Sequence, residues 1–269
     1  MPDYRMRMWR LIQDAPGDGA TNMAVDEAIL RAVAEEKAGP TLRLYAWAPP
    51  CLSLGRGQPA DDADRGALRA VGYDLVRRPT GGRAILHIDE VTYSLIVPHD
   101  DPRVLGSVVE SYRRLSGALI RALEHLGVPD IEADQRVDAG AEKGPVCFEA
   151  PSDYEITAGG KKLVGSAQMR AQGVVLQHGS IPLHGDIGRI CPLLAQHPDP
   201  DRVRGRATTV ERAIGRRVDW REAAAAVIAG FGQALNLELS AGNLSEREQA
   251  TAERLRREKY GTEIWNNTI

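Results

Sequence analysis

Apolar residues return at helical spacing between Asn22 and Glu36, where Ala24, Ala28, Ile29 and Val33 fall on one face. Thr21 or Asn22 is placed to cap the first turn, so the pattern predicts a helix. The same periodicity over Val104–Leu126 predicts a longer amphipathic helix, and Ala60–Val71 a short one. TLRLYAW, Thr41–Trp47, instead alternates apolar and polar positions, which predicts a half-buried strand. CLSLG follows the Pro49-Pro50 break and is expected to be its hairpin partner. Further strands are expected over Tyr73–Arg78, Ala84–His87, Thr92–Val97 and Val174–Leu183. Asp153–Thr157 and Lys161–Ala167 flank Ala158-Gly159-Gly160, a hairpin signal. Beyond this the pattern turns helical over Asp186–Leu194, Trp220–Leu235 and Ser245–Tyr260, while the polar, Pro- and Arg-rich Gln196–Ala207 reads as a mobile loop or minor boundary.

Strands and helices that alternate irregularly, with several hairpins, point to an α+β fold: a mixed, largely antiparallel sheet flanked by helices, not a doubly wound parallel sheet. The expectation is one domain over residues 1–269, with a mainly helical C-terminal portion at 186–269.

Composition narrows the function classes. The 269 residues are 43% hydrophobic and 26% charged, an ordinary globular balance. No uninterrupted apolar run spans a bilayer, and MPDYRMRMWRLIQD lacks a signal peptide's apolar core, so a cytoplasmic chain with no membrane partner is expected. The formal charge of −3 argues against a nucleic-acid partner. Three widely spaced cysteines, Cys51, Cys147 and Cys191, make neither a disulfide framework nor a zinc pattern, and no metal is expected.

Four short stretches carry candidate chemistry. RRPTGGRAILH, Arg77–His87, ends a strand in arginines followed by two glycines that permit close backbone approach to a ligand. KKLVGSAQ, Lys161–Gln168, follows the Gly159-Gly160 turn. Strand alternation puts Lys162 and Val164 on one side and Lys161 and Leu163 on the other, so one lysine can face a site while its neighbour faces water. QHGSIPL, Gln177–Leu183, adds His178 as a base or donor. GPVCFEAP sets Cys147 in a punctuated loop, where a nearby cation favours the reactive thiolate. Lys162 also stands out because only five of the 34 basic residues are lysines. Each stretch equally fits a plain glycine turn, a solvated hairpin, a packed histidine or an inert thiol. Cys51 and Cys191 read as core residues.

In this order and spacing the stretches resemble the lipoate–protein ligase A and biotin–protein ligase superfamily. RRPTGGRAILH, VCFEAPSDYEI, GGKKLVGSAQ and VVLQHGSI carry the resemblance, with WRLIQDAP…NMAVDEAIL, LRLYAWAPPCLSLGRGQ and KYGTEIWN around them. Ligases of this superfamily use ATP and usually read GGGA where this chain reads Gly81-Gly82-Arg83-Ala84. They have no mechanistic need for a cysteine at position 147. The chain looks most like octanoyltransferases of the LipM type, which place a cysteine in a C-F-[DE]-A-P context such as Cys147–Pro151.

That resemblance implies transfer of an octanoyl group from acyl carrier protein, through a cysteine thioester, to a lysine of a lipoyl domain such as the glycine-cleavage H protein, with no cofactor. It implies Cys147 and Lys162 as catalytic residues, Lys162 acting as a cation or as a proton shuttle. It implies Arg78, Gly81, Gly82, Arg83, His87, Gly165, Ser166, Ala167, His178 and Gly179 as substrate-binding residues. Arg56, Arg77 and Arg83 are expected to steer the acidic partners. An ATP-dependent lipoate or octanoate ligase, an amidotransferase between lipoyl domains, and a non-catalytic lipoyl-domain binder are the alternatives.

Overall fold

A computed structural model describes residues 4–134 and 155–268. Cys147 and the rest of the stretch between 135 and 154 lie outside them.

The main sheet has eight strands among the described residues: β1 (Arg7–Gln13), β2 (Thr41–Tyr45), β6 (Glu90–Pro98), β7 (Ile131–Asp134), β8 (Glu155–Ala158), β9 (Lys161–Ala171), β10 (Val174–Pro182) and β11 (Leu237–Ala241). Their order is β11-β1-β2-β6-β10-β9-β8-β7. The β11–β1 and β1–β2 pairs are parallel and the remaining pairs antiparallel. A smaller sheet orders β4 (Asp74–Arg77), β3 (Cys51–Leu54) and β5 (Ile85–His87). The α+β, largely antiparallel expectation holds.

Helices cover both faces of the main sheet. On one side α3 (Val108–His125) and α6 (Trp220–Leu235) bury Leu115, Leu119, Val227 and Phe231 against Leu42, Leu44, Tyr93 and Leu95. On the other, α1 (Gly19–Ala34) and α7 (Glu246–Leu255) share a core with Ile12, Tyr45, Ile96 and Leu176. α3 and α7 each begin with a complete capping box, Ser107/Glu110 and Ser245/Glu248. Asp18, not Thr21 or Asn22, caps α1, accepting the Thr21 N–H at 2.7 Å.

The structure corrects several sequence expectations. β3 does not pair with β2. It leaves the main sheet and pairs with β4 and β5 instead. β2 is not half-buried either. All five of its residues are buried, because helices cover both faces. Its Arg43 is tolerated there by ion pairs to Asp14 (2.6 Å) and Asp26 (2.8 Å). Within Gln196–Ala207, Pro200–Arg206 forms α4, capped by Asp199 with Pro200 in the first turn. The main sheet also takes in β1, β7 and β11, which the pattern did not predict. From Asp186 onward the described chain is mainly helical. It holds a 3₁₀ segment at Ile187–Leu193, α4, α5 (Val210–Ile214), α6, α7, a π-turn at Arg256–Tyr260 and α8 (Glu263–Asn266), with β11 returning to the main sheet.

Candidate active site

Between the two sheets lies a narrow cavity. The main sheet supplies one wall. Gly165, Ser166 and Ala167 of β9 stand beside His178, Gly179 and Ser180 of β10, then Thr92 of β6, then Tyr45 and Trp47 at the end of β2. The small sheet and its turns supply the opposite wall through Ser53, Ile85 and His87, with Arg78 and Gly82.

Close approach requires glycine at two positions here, Gly179 and Gly55. A Cβ on Gly179 would lie 2.6 Å from the Tyr93 ring and 2.7 Å from the Gly165 carbonyl oxygen. A Cβ on Gly55 would lie 2.0 Å from the Gly82 carbonyl oxygen, so Gly55 is what lets the glycine turn fold against β3.

Arg78 organises that turn. It is buried, and its guanidinium donates to the carbonyls of Ser53 (3.0 Å), Gly81 (2.8 Å) and Arg83 (2.7 Å). It also donates to Ser53 Oγ at 3.0 Å, which lies 2.7 Å from His87 Nε2. His87 Nδ1 meets Glu90 Oε1 at 2.8 Å, and Ser180 Oγ donates to the same oxygen at 2.6 Å. The directions are self-consistent: with Nδ1–H donated to Glu90, Nε2 is the acceptor for the Ser53 hydroxyl.

A second polar chain backs the cavity. His178 Nε2 lies 2.7 Å from Thr80 Oγ1 and its Nδ1 lies 3.3 Å from Asp26 Oδ2. Burial pushes the His178 imidazole below its ordinary value of 6.5, with the Asp26 hydrogen bond opposing in part. For Asp26 burial acts upward, but Arg43 and the His178 hydrogen bond outweigh it and hold the carboxyl below its usual range. A histidine with a depressed folded pKa takes up its proton in the unfolded chain first. Its stabilising contribution is therefore intact above pH 6.5 and is lost as pH falls below it. His178→Gln is expected to flatten this acid limb, which thermal melts at about pH 5 to 7 would read.

Most of the expected substrate-binding residues meet at this cavity: Arg78, Gly82 and His87 from the small-sheet side, and the β9 and β10 residues from the other. Gly81 and Arg83 belong to the same turn but do not line it. Lys162 does not line it either, and lies three residues along β9 from Gly165. Lys162 is 4% exposed with its Nζ 2.9 Å from Glu155 Oε1, while Lys161 is exposed, so the two lysines part as expected. Val164 does not share a side with Lys162 in simple alternation. A register shift opposite Ile156/Thr157 interrupts β9, and Leu163 and Val164 both enter the core beneath α3. Arg77 cannot steer a partner. It is 1% exposed and holds the Gly55 and Gln58 carbonyls at 2.7 and 2.6 Å. Sequence reasoning missed Tyr45, Trp47, Ser53, Glu90 and Thr92, which only the packing of two sheets brings together.

The family model for the lipoyl protein ligase A/B catalytic domain matches residues 18–232. The chain belongs to that family. It is 45% identical to a Kyrpidia tusciae octanoyltransferase LipM over 97% of this chain and 99% of that one. With the Symbiobacterium thermophilum octanoyltransferase LipM the identity is 41%, over 96% and 97%. Among solved structures, a lipoate-protein ligase A bound with ATP superposes with a TM-score of 0.81 at 26% identity, covering 97% of this chain and 99% of that one. A bipartite lipoate protein ligase of Thermoplasma acidophilum, studied with its E2 lipoyl domain, gives 0.79 at 25%, covering 97% and 96%. The cavity between the sheets is thus the candidate site of a family member. Among the described residues no group of three His, Cys, Asp or Glu side chains could hold a metal ion.

Proposed function

We propose that this chain is an octanoyltransferase of lipoate biosynthesis, acting as a single catalytic domain in the cytoplasm. The observation that carries the reading is identity of 41–45% with LipM octanoyltransferases over nearly the whole length of both chains. The C-F-E-A-P setting of Cys147 supports the covalent route. No helix among the described residues is long and apolar enough to cross a membrane.

The donor is an octanoyl thioester on acyl carrier protein. The Cys147 thiolate attacks its carbonyl carbon, a new C–S bond forms, and the carrier's thiolate departs. One thioester replaces another, so the step costs little free energy. The acceptor lysine of a lipoyl domain, such as glycine-cleavage H protein, then attacks as the free amine. The amide C–N bond forms, the C–S bond to Cys147 breaks, and the proton lost by nitrogen returns the thiol. Dividing the transfer in two keeps each barrier accessible. Lys162 supplies positive charge beside the developing oxyanion or carries the proton. The acyl chain lies in the cavity between the sheets, where each buried methylene contributes about 0.8 kcal/mol.

The test is direct. Purified chain, octanoyl-acyl carrier protein and apo H protein should yield octanoylated H protein without ATP. A strict ATP requirement, with pyrophosphate released, would assign the ligase reaction instead. The ATP-bound ligase of the same fold is the observation favouring that second reading. Product from octanoyl-H protein as donor, and none from acyl carrier protein, would assign an amidotransferase.

Arg56 is exposed and Arg83 half-exposed, on the two loops that Gly55 and Gly82 bring together. They are the basic residues we assign to capture of the acidic donor. Arg56→Glu with Arg83→Glu should lower kcat/KM about tenfold at low ionic strength and flatten its salt dependence. Unchanged rates across a salt series would remove that role.

A further inference from the structure

We propose that Trp265 and Asn266 of α8 are positioning residues for donor capture. They grip the free edge of β4 and so hold the Arg56 loop and the glycine turn together beside the slot. The inference rests on the octanoyl-transfer reading of that slot.

β4 is an edge strand of the small sheet, with β3 on one side. The other side of such a strand presents backbone groups that need partners. At Arg77, the last residue of β4, side chains of α8 supply them. The Arg77 N–H donates to Asn266 Oδ1 at 2.7 Å, and the Arg77 carbonyl accepts the Trp265 indole N–H at 2.8 Å. The Arg77 guanidinium also donates to the Asn266 carbonyl at 3.2 Å.

The anchor of α8 lies outside the small sheet. Thr262 caps the helix, accepting the Trp265 N–H at 3.2 Å. Asn266 Nδ2 donates to the carbonyls of Tyr260 (2.9 Å) and Thr262 (3.1 Å), which fixes its amide with the oxygen toward Arg77. Tyr260 is fully buried, and its hydroxyl donates to Glu27 of α1 at 2.5 Å. Lys259 donates to the same Glu27 oxygen at 2.6 Å, and its Nζ lies 4.2 Å from the centroid of the Trp265 ring. α8 is thus tied to a helix packed on the main sheet and reaches across to the small one.

Arg77 in turn controls the loops beside the slot. Its guanidinium holds the Gly55 and Gln58 carbonyls. Between them, Arg56 donates its N–H to the Thr80 carbonyl at 2.8 Å, and its guanidinium stands 5.5 Å from the centroid of the Trp265 ring. Arg78, the next residue, fastens the turn through Gly81 and Arg83, and Gly82 lines the slot. Gly55 packs directly on Gly82, so the two loops move as one. A single strand end therefore places both arginines assigned to the donor and part of the slot wall. Lys162 stands apart from it, on β9 of the main sheet.

The experiment compares the wild type with Trp265→Phe, Asn266→Ala and the double variant. Phenylalanine keeps a ring for Arg56 and Lys259 but has no N–H for Arg77. Steady-state kinetics measures kcat/KM for octanoyl-acyl carrier protein and, separately, for apo H protein. Hydrogen exchange follows the Arg56 and Gln58 amides in the free enzyme, with β6 and β10 as references.

The donor kcat/KM should fall about tenfold in each single variant, while the acceptor kcat/KM falls less than about threefold. The two loop amides should exchange at least about tenfold faster, with β6 and β10 unchanged. If Asn266→Ala does not fold, Trp265→Phe carries the test. Equal falls for donor and acceptor, the signature of lost folded enzyme, overturn the proposal. So do wild-type donor kinetics in the folded double variant. If the wild type transfers no acyl group but the loop amides still lose protection in the variants, the transferase reading fails and the grip on β4 stands. Unchanged amide exchange removes the grip, whatever the transfer activity.

Discussion

Replacing Cys147 with alanine is expected to abolish the octanoyl adduct and to lower transfer to the lipoyl domain at least about 1,000-fold. Alanine offers no nucleophile, so the acceptor amine must attack the carrier's thioester directly, without the bound intermediate. Intact-mass measurement after incubation with octanoyl-acyl carrier protein should show one added octanoyl group on the wild type and none on the variant. Cys147→Ser should load slowly and deliver poorly, because an oxygen ester is a weaker acyl donor to an amine than a thioester. The other two cysteines do not compete. Cys51 is fully buried and Cys191 is 2% exposed, and burial pushes the Cys51 thiol well above its ordinary value. Turnover that survives in Cys147→Ala with ATP-dependent release of pyrophosphate would transfer the assignment to a ligase. Survival without ATP would leave direct attack by the acceptor amine as the mechanism.

What the sequence disclosed and what it withheld follow from the range of the interactions. Helices with a strong apolar stripe and a cap were legible to within a few residues, as for α6 and the capping-box start of α7. The hairpin of β8 and β9 was legible because its turn is two glycines with positive φ. β3 was assigned to the wrong sheet because alternation tells which residues form a strand but not which strand they pair with. β2 looked half-buried because Arg43 reads as a solvent-facing residue until Asp14 and Asp26 are seen around it. The site divided the same way. Arg78, His87, His178 and the glycines sit in compact motifs and could be named. Trp47, Ser53, Glu90 and Thr92 come from three separate segments and meet only where the small sheet lies over the large one. Arg77 and Arg78 are neighbours of the same type, yet one braces a loop and the other holds the cavity turn. Nothing in a pair of adjacent arginines separates those roles before the chain is folded.

Lys162→Ala should lower transfer by about 100- to 1,000-fold, the span of a lost oxyanion donor. Lys162 is 4% exposed in a chain whose basic residues are nearly all arginine, and its Nζ lies 2.9 Å from Glu155. A buried ammonium is expensive unless paired, and removing one member of such a pair costs about 3–5 kcal/mol when the other charge is left buried. Glu155 keeps 13% side-chain exposure, which moderates that figure. Loss of activity must therefore be separated from loss of fold. Lys162→Met retains the apolar stem, and adding Glu155→Gln removes the carboxylate charge that faced the ammonium. If that double variant melts like the wild type but transfers as poorly as Lys162→Ala, the effect is chemical. Lys162→Arg then decides the role. An arginine keeps the positive charge but does not give up a proton at working pH. Recovery of a tenth or more of the wild-type rate would identify a charge that steadies the oxyanion. No recovery, with acyl loading intact and delivery to the lysine acceptor blocked, would identify proton transfer in the second step. Wild-type turnover in Lys162→Ala would remove the residue from the reaction altogether.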